Sequence, residues 1–178
     1  VALLTTEAAD ALAVSADRDA LAGLLAAEAL RVAAWRPRWA TEVDERSLPH
    51  ESDWIRSAVH LNKGCYRGQE TVAKVHNLGH PPRRMVFLQL DGSDAELPTA
   101  GSAVRLDGAD VGAVTSVARH HEEGPIALAI VKRSVPVDAA LTVEVGDGEV
   151  AAAQEVVVPP DAGRAASVPR LPRLSQRR

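Results

Sequence analysis

The sequence predicts an α+β chain: a mixed, helix-bearing first part followed by a small antiparallel β-barrel. Three observations carry this. Residues 1–30 are rich in Ala and Leu, and a later helical stretch is bracketed by Gly68 and Gly79. From Arg84 onward, short apolar or β-branched runs are separated by Gly, Pro and Asp at near-regular intervals, as in small all-β domains. Pro81–Pro82 falls between the two patterns. The expected organisation is therefore a first domain over residues 1–82, a barrel over 83–158 and a disordered basic tail over 159–178.

Taken in order, Val1–Leu4 and Ala11–Val14 are short apolar runs that fit either an edge strand or a helix. Asp17 is placed to cap a helix running to about Leu30, with Leu21, Leu24 and Leu25 on one face. Pro37 blocks any continuation of that helix. Trp35, Trp39 and Trp54 are all of the chain's tryptophans, and they concentrate large apolar surface in one region. A core patch or domain interface is the favoured reading over ligand stacking, since buried area is what aromatics chiefly supply. Ser52 or Asp53 is placed to cap a short helix over Trp54, Ile55, Ala58 and Val59. Gln69–Leu78 reads as a helix closed by Gly79, with Glu70 and Lys74 four apart in the favourable order. The strands expected are Met85–Leu90, Ala103–Leu106, Val111–Ala118, Ile126–Val131, Leu141–Val145 and Val150–Val158. Asp107–Gly108 and Gly146–Asp147–Gly148 are hairpin turns. The tail from 161 carries five arginines against one acid and reads as solvated.

Composition narrows the function classes. The chain has 178 residues, 46% of them hydrophobic but only 3% aromatic, so Val, Leu, Ala and Ile must build the core. A formal charge of −4 argues against a nucleic-acid-binding body. One cysteine excludes an intramolecular disulfide framework and a self-contained thiolate cluster, and suits a reducing compartment. No apolar run approaches a transmembrane length, and the first residues lack a basic n-region, so a cytoplasmic address is expected. The chain opens on Val1 and not on Met, which suggests a fragment, a processed product or a non-standard start. No P-loop, GxGxxG, HExxH, GxSxG or CxxC occurs. His76 and His80 are four apart, but Gly79 and Pro81 interrupt the helix and no acidic or thiol ligand pairs with them, so no metal site is assigned.

The chemistry centres on Lys63-Gly64-Cys65-Tyr66-Arg67-Gly68-Gln69-Glu70, which holds the only cysteine and the only tyrosine. A lone cysteine is more often a small buried hydrophobe than a nucleophile. Here its neighbours are polar, cationic and glycine-rich, and Lys63 and Arg67 would favour the thiolate. The helix expected from Gln69 also turns its N-terminus toward this segment, a setting that favours anions.

This segment, with Thr71-Val72-Ala73-Lys74, closely resembles the KGCYxGQE signature of YgfZ-type folate-binding proteins, relatives of the glycine cleavage T-protein (aminomethyltransferase). Leu30-Arg31 with Pro37 and Glu42, Leu48-Pro49-His50-Glu51, and Gly112-Ala113-Val114-Thr115-Ser116 followed by Ile126-Ala127-Leu128-Ala129 are similar to further family segments in the same order. The likeness spans about residues 28–158. It implies the C-terminal half of a T-protein-like fold and a folate-dependent accessory role in iron–sulfur cluster assembly or repair. It implies tetrahydrofolate as cofactor, iron–sulfur proteins or their assembly machinery as partners, and Cys65 as the functional thiol. Arg31 matches an arginine that contacts substrate in the aminomethyltransferases. Arg31, Lys63, Gly64, Tyr66, Gly68, Gln69 and Glu70 are thus the candidate folate-binding residues. The alternatives are a tetrahydrofolate-dependent aminomethyltransferase and a non-enzymatic docking fragment. Cys65 argues against the former, because aminomethyltransferases lack this motif. A second substrate-contacting arginine has no counterpart near Gly146–Asp147, and the segment bearing the transferases' catalytic aspartate has none either. Weak folate binding by this chain alone is the resulting expectation.

Overall fold

A computed structural model describes residues 5–15, 22–92 and 96–163. Among the described residues, five α-helices and a 3₁₀ turn precede six strands: α1 (Thr6–Ser15), α2 (Leu24–Ala33), α3 (Trp39–Glu42), the 3₁₀ turn (Pro49–Ser52), α4 (Trp54–Ser57) and α5 (Gln69–Leu78). The strands are β1 (Arg83–Leu90), β2 (Ala103–Leu106), β3 (Ala109–His120), β4 (Gly124–Lys132), β5 (Leu141–Val145) and β6 (Gly148–Val156). They close into an antiparallel barrel in the order β1-β4-β3-β2-β5-β6. Closure leaves no strand edge for aggregation, which matters in a chain this rich in β-branched runs.

Side chains alternate across a strand, so β1 and β4 serve two cores at once. Val86, Leu88 and Leu90 of β1 fill the barrel with Ala127, Ala129 and Val131 of β4. Met85 and Phe87, with Ile126 and Leu128, face outward and pack against Ala29 and Val32 of α2. Burial on both faces explains why these two strands read as unbroken apolar runs. The hairpin turns fall where expected. Asp107 and Gly108 both take positive φ between β2 and β3, and Gly146 does so between β5 and β6.

β3 must serve both cores as well, and it changes face partway. Its pairing with β4 slips by one residue between Val114 and Ser116. Val114 lies inside the barrel, yet Ala118, four residues on, packs on the helix side. An uninterrupted strand would put both on one face. The extra residue is Thr115, whose hydroxyl donates to the Leu128 carbonyl at 3.1 Å. Gly112 lets the backbones close just before this bulge: a Cβ there would lie 2.3 Å from the Ile130 carbonyl oxygen.

The first part of the chain departs from expectation in several places. Asp17 and Leu21 lie outside the described residues; α2 begins at Leu24 after Gly23. Its buried face is Ala29 and Val32, while Leu24, Leu25 and Leu30 are exposed. Small side chains face the barrel because the helix lies close on the sheet. The helix ends before Pro37. Trp35 takes φ 53°, the Trp35 N–H donates to the Val32 carbonyl, and the Arg36 N–H to the Arg31 carbonyl. That is a Schellman closure with Trp in the position glycine usually takes. Ala11–Val14 is helical, as part of α1. α4 stops at Ser57, and the Asp53 side chain bonds Arg56 and caps nothing.

α2 and α3 are fastened to the barrel by polar contacts. The Glu42 carboxylate, 3% exposed, receives the Arg38 N–H at 2.6 Å, the Thr41 hydroxyl at 2.6 Å and the Ser116 hydroxyl. Arg31 donates to Glu42 at 3.4 Å, to Ser116 at 2.6 Å, to both oxygens of Glu28 at 2.6 and 3.0 Å, and to the Arg36 carbonyl at 2.6 Å. These contacts occupy the guanidinium's whole donor fork.

The body continues past the expected boundary at 158. Val158 is buried and its N–H donates to the Met85 carbonyl. Ala162 packs on the α2-side core, and its carbonyl lies 3.0 Å from His80 Nδ1. Gly163 approaches the Gly79 carbonyl so closely that a Cβ would sit 2.6 Å from its oxygen. Residues 164–178 lie outside the described part.

Two outcomes follow for stability. Glu42→Ala strands Arg31 and Ser116 and is expected to cost about 3 kcal/mol, read as a lower urea midpoint. Ending the chain at 158 should lower the melting temperature, by about 1 kcal/mol of stability, through loss of the His80 and Ala162 contacts. Ending it at 163 should leave the melt where the full chain has it.

Candidate functional site

The Lys63–Glu70 segment is a loop closed by its own side chains. Gly68 takes φ 81° as the N-cap of α5, a conformation costly for any residue with a Cβ. Gln69 then bonds Tyr66 twice: its side-chain oxygen accepts the Tyr66 N–H at 3.0 Å, and its own N–H donates to the Tyr66 carbonyl at 3.2 Å. Gly68 and Gln69 therefore shape the loop. Gly64 has neither a positive φ nor a neighbour that a Cβ would meet. Cys65 is a free, exposed thiol between them. Lys63 Nζ stands 5.6 Å from the Tyr66 ring centre. Glu70 is exposed, and no Glu70–Lys74 ion pair forms.

Beside this loop lies a cleft of about 550 Å³. Lys63, Tyr66, Arg67 and Gly68 line one wall; Trp39, Trp54 and the segment from Glu45 to Pro49 line the other. The two indoles stack at 6.0 Å with planes 8° apart. Trp39 is 75% exposed. The core-patch half of the expectation is thus corrected for Trp39, which stands exposed on a helix of four residues; its exposure is compatible with the domain-interface half. Trp35 does not join the cleft; its ring lies 6.1 Å from Phe87.

Arg31 does not line the cleft either. Of the residues singled out in the sequence, Lys63, Tyr66 and Gly68 share the cleft, Cys65, Gln69 and Glu70 belong to the same loop or the helix it opens, and Arg31 lies apart in the α2–barrel joint.

The far wall is clamped to the barrel by a residue the sequence did not single out. Arg83, at the start of β1, donates to Asp44 at 2.6 and 3.0 Å and to Glu51 at 2.8 Å. Arg83 and Ser47 hold the Asp44 carboxyl far below the usual carboxylate range. Glu51 is 1% exposed; burial pushes its carboxyl up, against the pull of Arg83. The signal in the sequence was slight: an Arg after Pro81–Pro82, and an acid in Leu48-Pro49-His50-Glu51.

His50, next to Glu51, is 4% exposed and neither ring nitrogen has a hydrogen-bond partner. Its ring centre lies 5.9 Å from that of His76 on α5. Burial, and then His76, hold its pKa below the ordinary histidine value. Among the described residues, no group of three or more His, Cys, Asp or Glu is placed to hold a metal ion. No helix among them is long and apolar enough to cross a membrane.

Residues 83–160 match the family model of the glycine cleavage T-protein C-terminal barrel domain. The chain is 34% identical over 98 residues to At1g60990 of Arabidopsis thaliana, provisionally described as a chloroplastic transferase. That match takes in 53% of this chain and 21% of the plant protein. The fold is similar to the crystal structure of the glycine cleavage system aminomethyltransferase T from Bartonella henselae, with a TM-score of 0.59 and 19% identity over 75% of this chain and 37% of that one. The chain thus spans well under half the length of either.

The buried imidazole generates a pH prediction. A histidine whose folded pKa is depressed leaves the unfolded chain binding more protons once pH drops below its ordinary value of 6.5. Stability from His50 is complete above that pH and is lost as pH falls toward the folded pKa. His50→Gln should remove this part of the acid loss, seen as a shallower decline of urea midpoint from pH 7 to 5 than in the unmodified chain.

Proposed function

We propose that this chain serves as a folate-linked accessory protein for iron–sulfur enzymes, with Cys65 as its working thiol. The observation that carries the reading is the exposed thiol on a loop shaped by Gly68 and by the paired Gln69–Tyr66 hydrogen bonds. A structural cysteine would be packed in a core; this one is exposed, on a loop whose Lys63, Tyr66, Arg67 and Gly68 line a cleft. One sulfur is too few to keep a resident cluster. Cys65 would therefore act on a client's iron or sulfur, with the remaining ligands supplied by the client. The partners on this reading are reduced folate and iron–sulfur proteins or their assembly machinery, and the setting is the cytoplasm.

The aminomethyltransferase alternative is less well supported. Arg31, the residue carried over from that chemistry, has its donors committed to Glu28, Glu42, Ser116 and the Arg36 carbonyl. A substrate carboxylate would have to displace fold contacts to reach it. The remaining candidates for folate, Lys63, Tyr66 and Gly68, line the cleft and fit an anionic ligand with a flat ring. Folate bound there would bring a one-carbon carrier close to the thiol-bearing loop.

The test is complementation in a host deleted for the gene encoding this chain, with the activity of an iron–sulfur dehydratase as readout. Cys65→Ser should give no more activity than the deletion itself, with its melting temperature unchanged because the side chain is exposed. Full activity from Cys65→Ser overturns the thiol role. Folate-dependent release of ammonia from an aminomethylated carrier protein, at a rate sensitive to Arg31→Ala, would favour the transferase instead.

A further inference from the structure

We infer that the contact between His50 and His76 is an acid-released latch: it holds α5 and the Cys65 loop on the body of the protein, and a proton on His50 lets them go. The inference does not rest on the function proposed above and stands even if that function falls.

The attachment of α5 is thin. Of its ten residues only Val72 is buried, and His76, four residues on and so on the same face, is half-buried. A second hold lies at the C-terminal end, where Gly163 closes on the Gly79 and Val75 carbonyls. The Cys65 loop goes with the helix, because Gln69, the first residue of α5, is bonded twice to Tyr66.

The latch stays shut only while His50 is neutral. His50 is 4% exposed, and neither ring nitrogen has a hydrogen-bond partner. Its ring centre lies 5.9 Å from that of His76, with the planes 35° apart. A neutral imidazole there costs an unmade hydrogen bond. An imidazolium would be a buried charge with no acceptor, facing a second imidazole. The neighbouring elements supply no anion. On the turn itself, Glu51 gives one oxygen to Arg83 of β1, and its other oxygen has no partner, His50 included. Asp44 is also bonded to Arg83. Arg84 of β1 is turned to the Val135 carbonyl and Gln154. Asp53, before α4, is paired with Arg56. From α5 it is His76 that faces the ring, while Glu70 and Lys74 are exposed. Burial first, and His76 second, therefore keep His50 neutral where an open imidazole would take a proton.

The two sides of the His50 turn differ in what can yield. One side is fixed to β1 by the Glu51–Arg83 ion pair at 2.8 Å. The other is covered by α5, with its single buried side chain. Water reaches a protonated His50 at least cost when α5 moves off. An open His50 has the ordinary value of 6.5 and a closed one lies below it. The closed form is thus fully favoured above that pH and is lost as pH falls toward the closed-state value.

Amide hydrogen exchange of the full chain at pH 7.5 and 5.5, corrected for the intrinsic rate, reads the latch directly. Protection of Gln69–Leu78 should fall several-fold at the lower pH, up to about the tenfold that one proton allows a unit below 6.5, while β1 and β4 keep theirs. His50→Phe, which takes no proton, should abolish the fall, and His50→Leu should do so if Phe disturbs the melt. Glu51→Gln should keep the fall, which separates His50 from the one buried acid beside it whose pKa burial raises. Unchanged protection of α5 overturns the inference. So does a loss shared equally with the barrel, which is global unfolding. So does a loss that persists in the His50 variants or vanishes in Glu51→Gln. If both His50 variants lower the melt, NMR of the histidine rings in the unmodified chain decides: His50 must titrate at the midpoint of α5 opening, and a different midpoint overturns the latch.

Discussion

The arrangement depends on one buried carboxylate. Glu42 ends a helix of a single turn that could not persist in isolation. It is held there because its oxygens collect the Arg38 N–H, the Thr41 and Ser116 hydroxyls and the Arg31 guanidinium. A buried charge is costly unless so surrounded. The reward is positional: α2, α3 and β3 meet at fixed angles, and Trp39 is carried on the helix that Glu42 closes. The Trp39–Trp54 stack is thus carried by the same short helix that the Glu42 joint holds.

The bulge in β3 makes the joint available. Thr115 is the added residue, and the slip turns Ser116 from the barrel interior to the helix side, where its hydroxyl links Arg31 to Glu42. Close backbone approach at Gly112 precedes it. Without the shift in register, a serine would lie in the barrel among valines, and Arg31 and Glu42 would lose their connection to the sheet. The short Gly-Ala-Val-Thr-Ser stretch therefore matters to the first part of the chain as much as to the barrel.

A second clamp works from the barrel's first strand. Arg83 reaches back to Asp44 and Glu51 and fixes the segment that lines the cleft opposite the thiol loop. On the loop side the scaffold is local: a glycine with positive φ and a glutamine that closes on Tyr66. One wall of the cleft is set by contacts distant in sequence, and the other by contacts three residues apart. Cys65 lies on the same loop without lining the cleft, which keeps the thiol at the surface and untied to the core.

The sequence by itself determined the barrel and the loop. Its strands alternate or run apolar according to whether one face or two are buried, its turns carry glycine where positive φ is needed, and α5 begins and ends at glycines. All of these are effects between near neighbours, and they leave a periodic trace. The lone cysteine in a cationic, glycine-bracketed segment was legible for the same reason. Only the tertiary structure decided that Arg31 belongs to the fold's joint and away from the cleft, that Trp39 stands exposed while Trp35 packs on Phe87, that Ala29 and Val32 and not the leucines face the barrel, and that Arg83 holds the cleft's far wall. Each depends on partners tens of residues away, brought together by barrel closure and a one-residue slip in β3. An arginine bound for a buried carboxylate and one left without an ion pair have the same local sequence signature; what separates them is which carboxylate the folded chain places within reach.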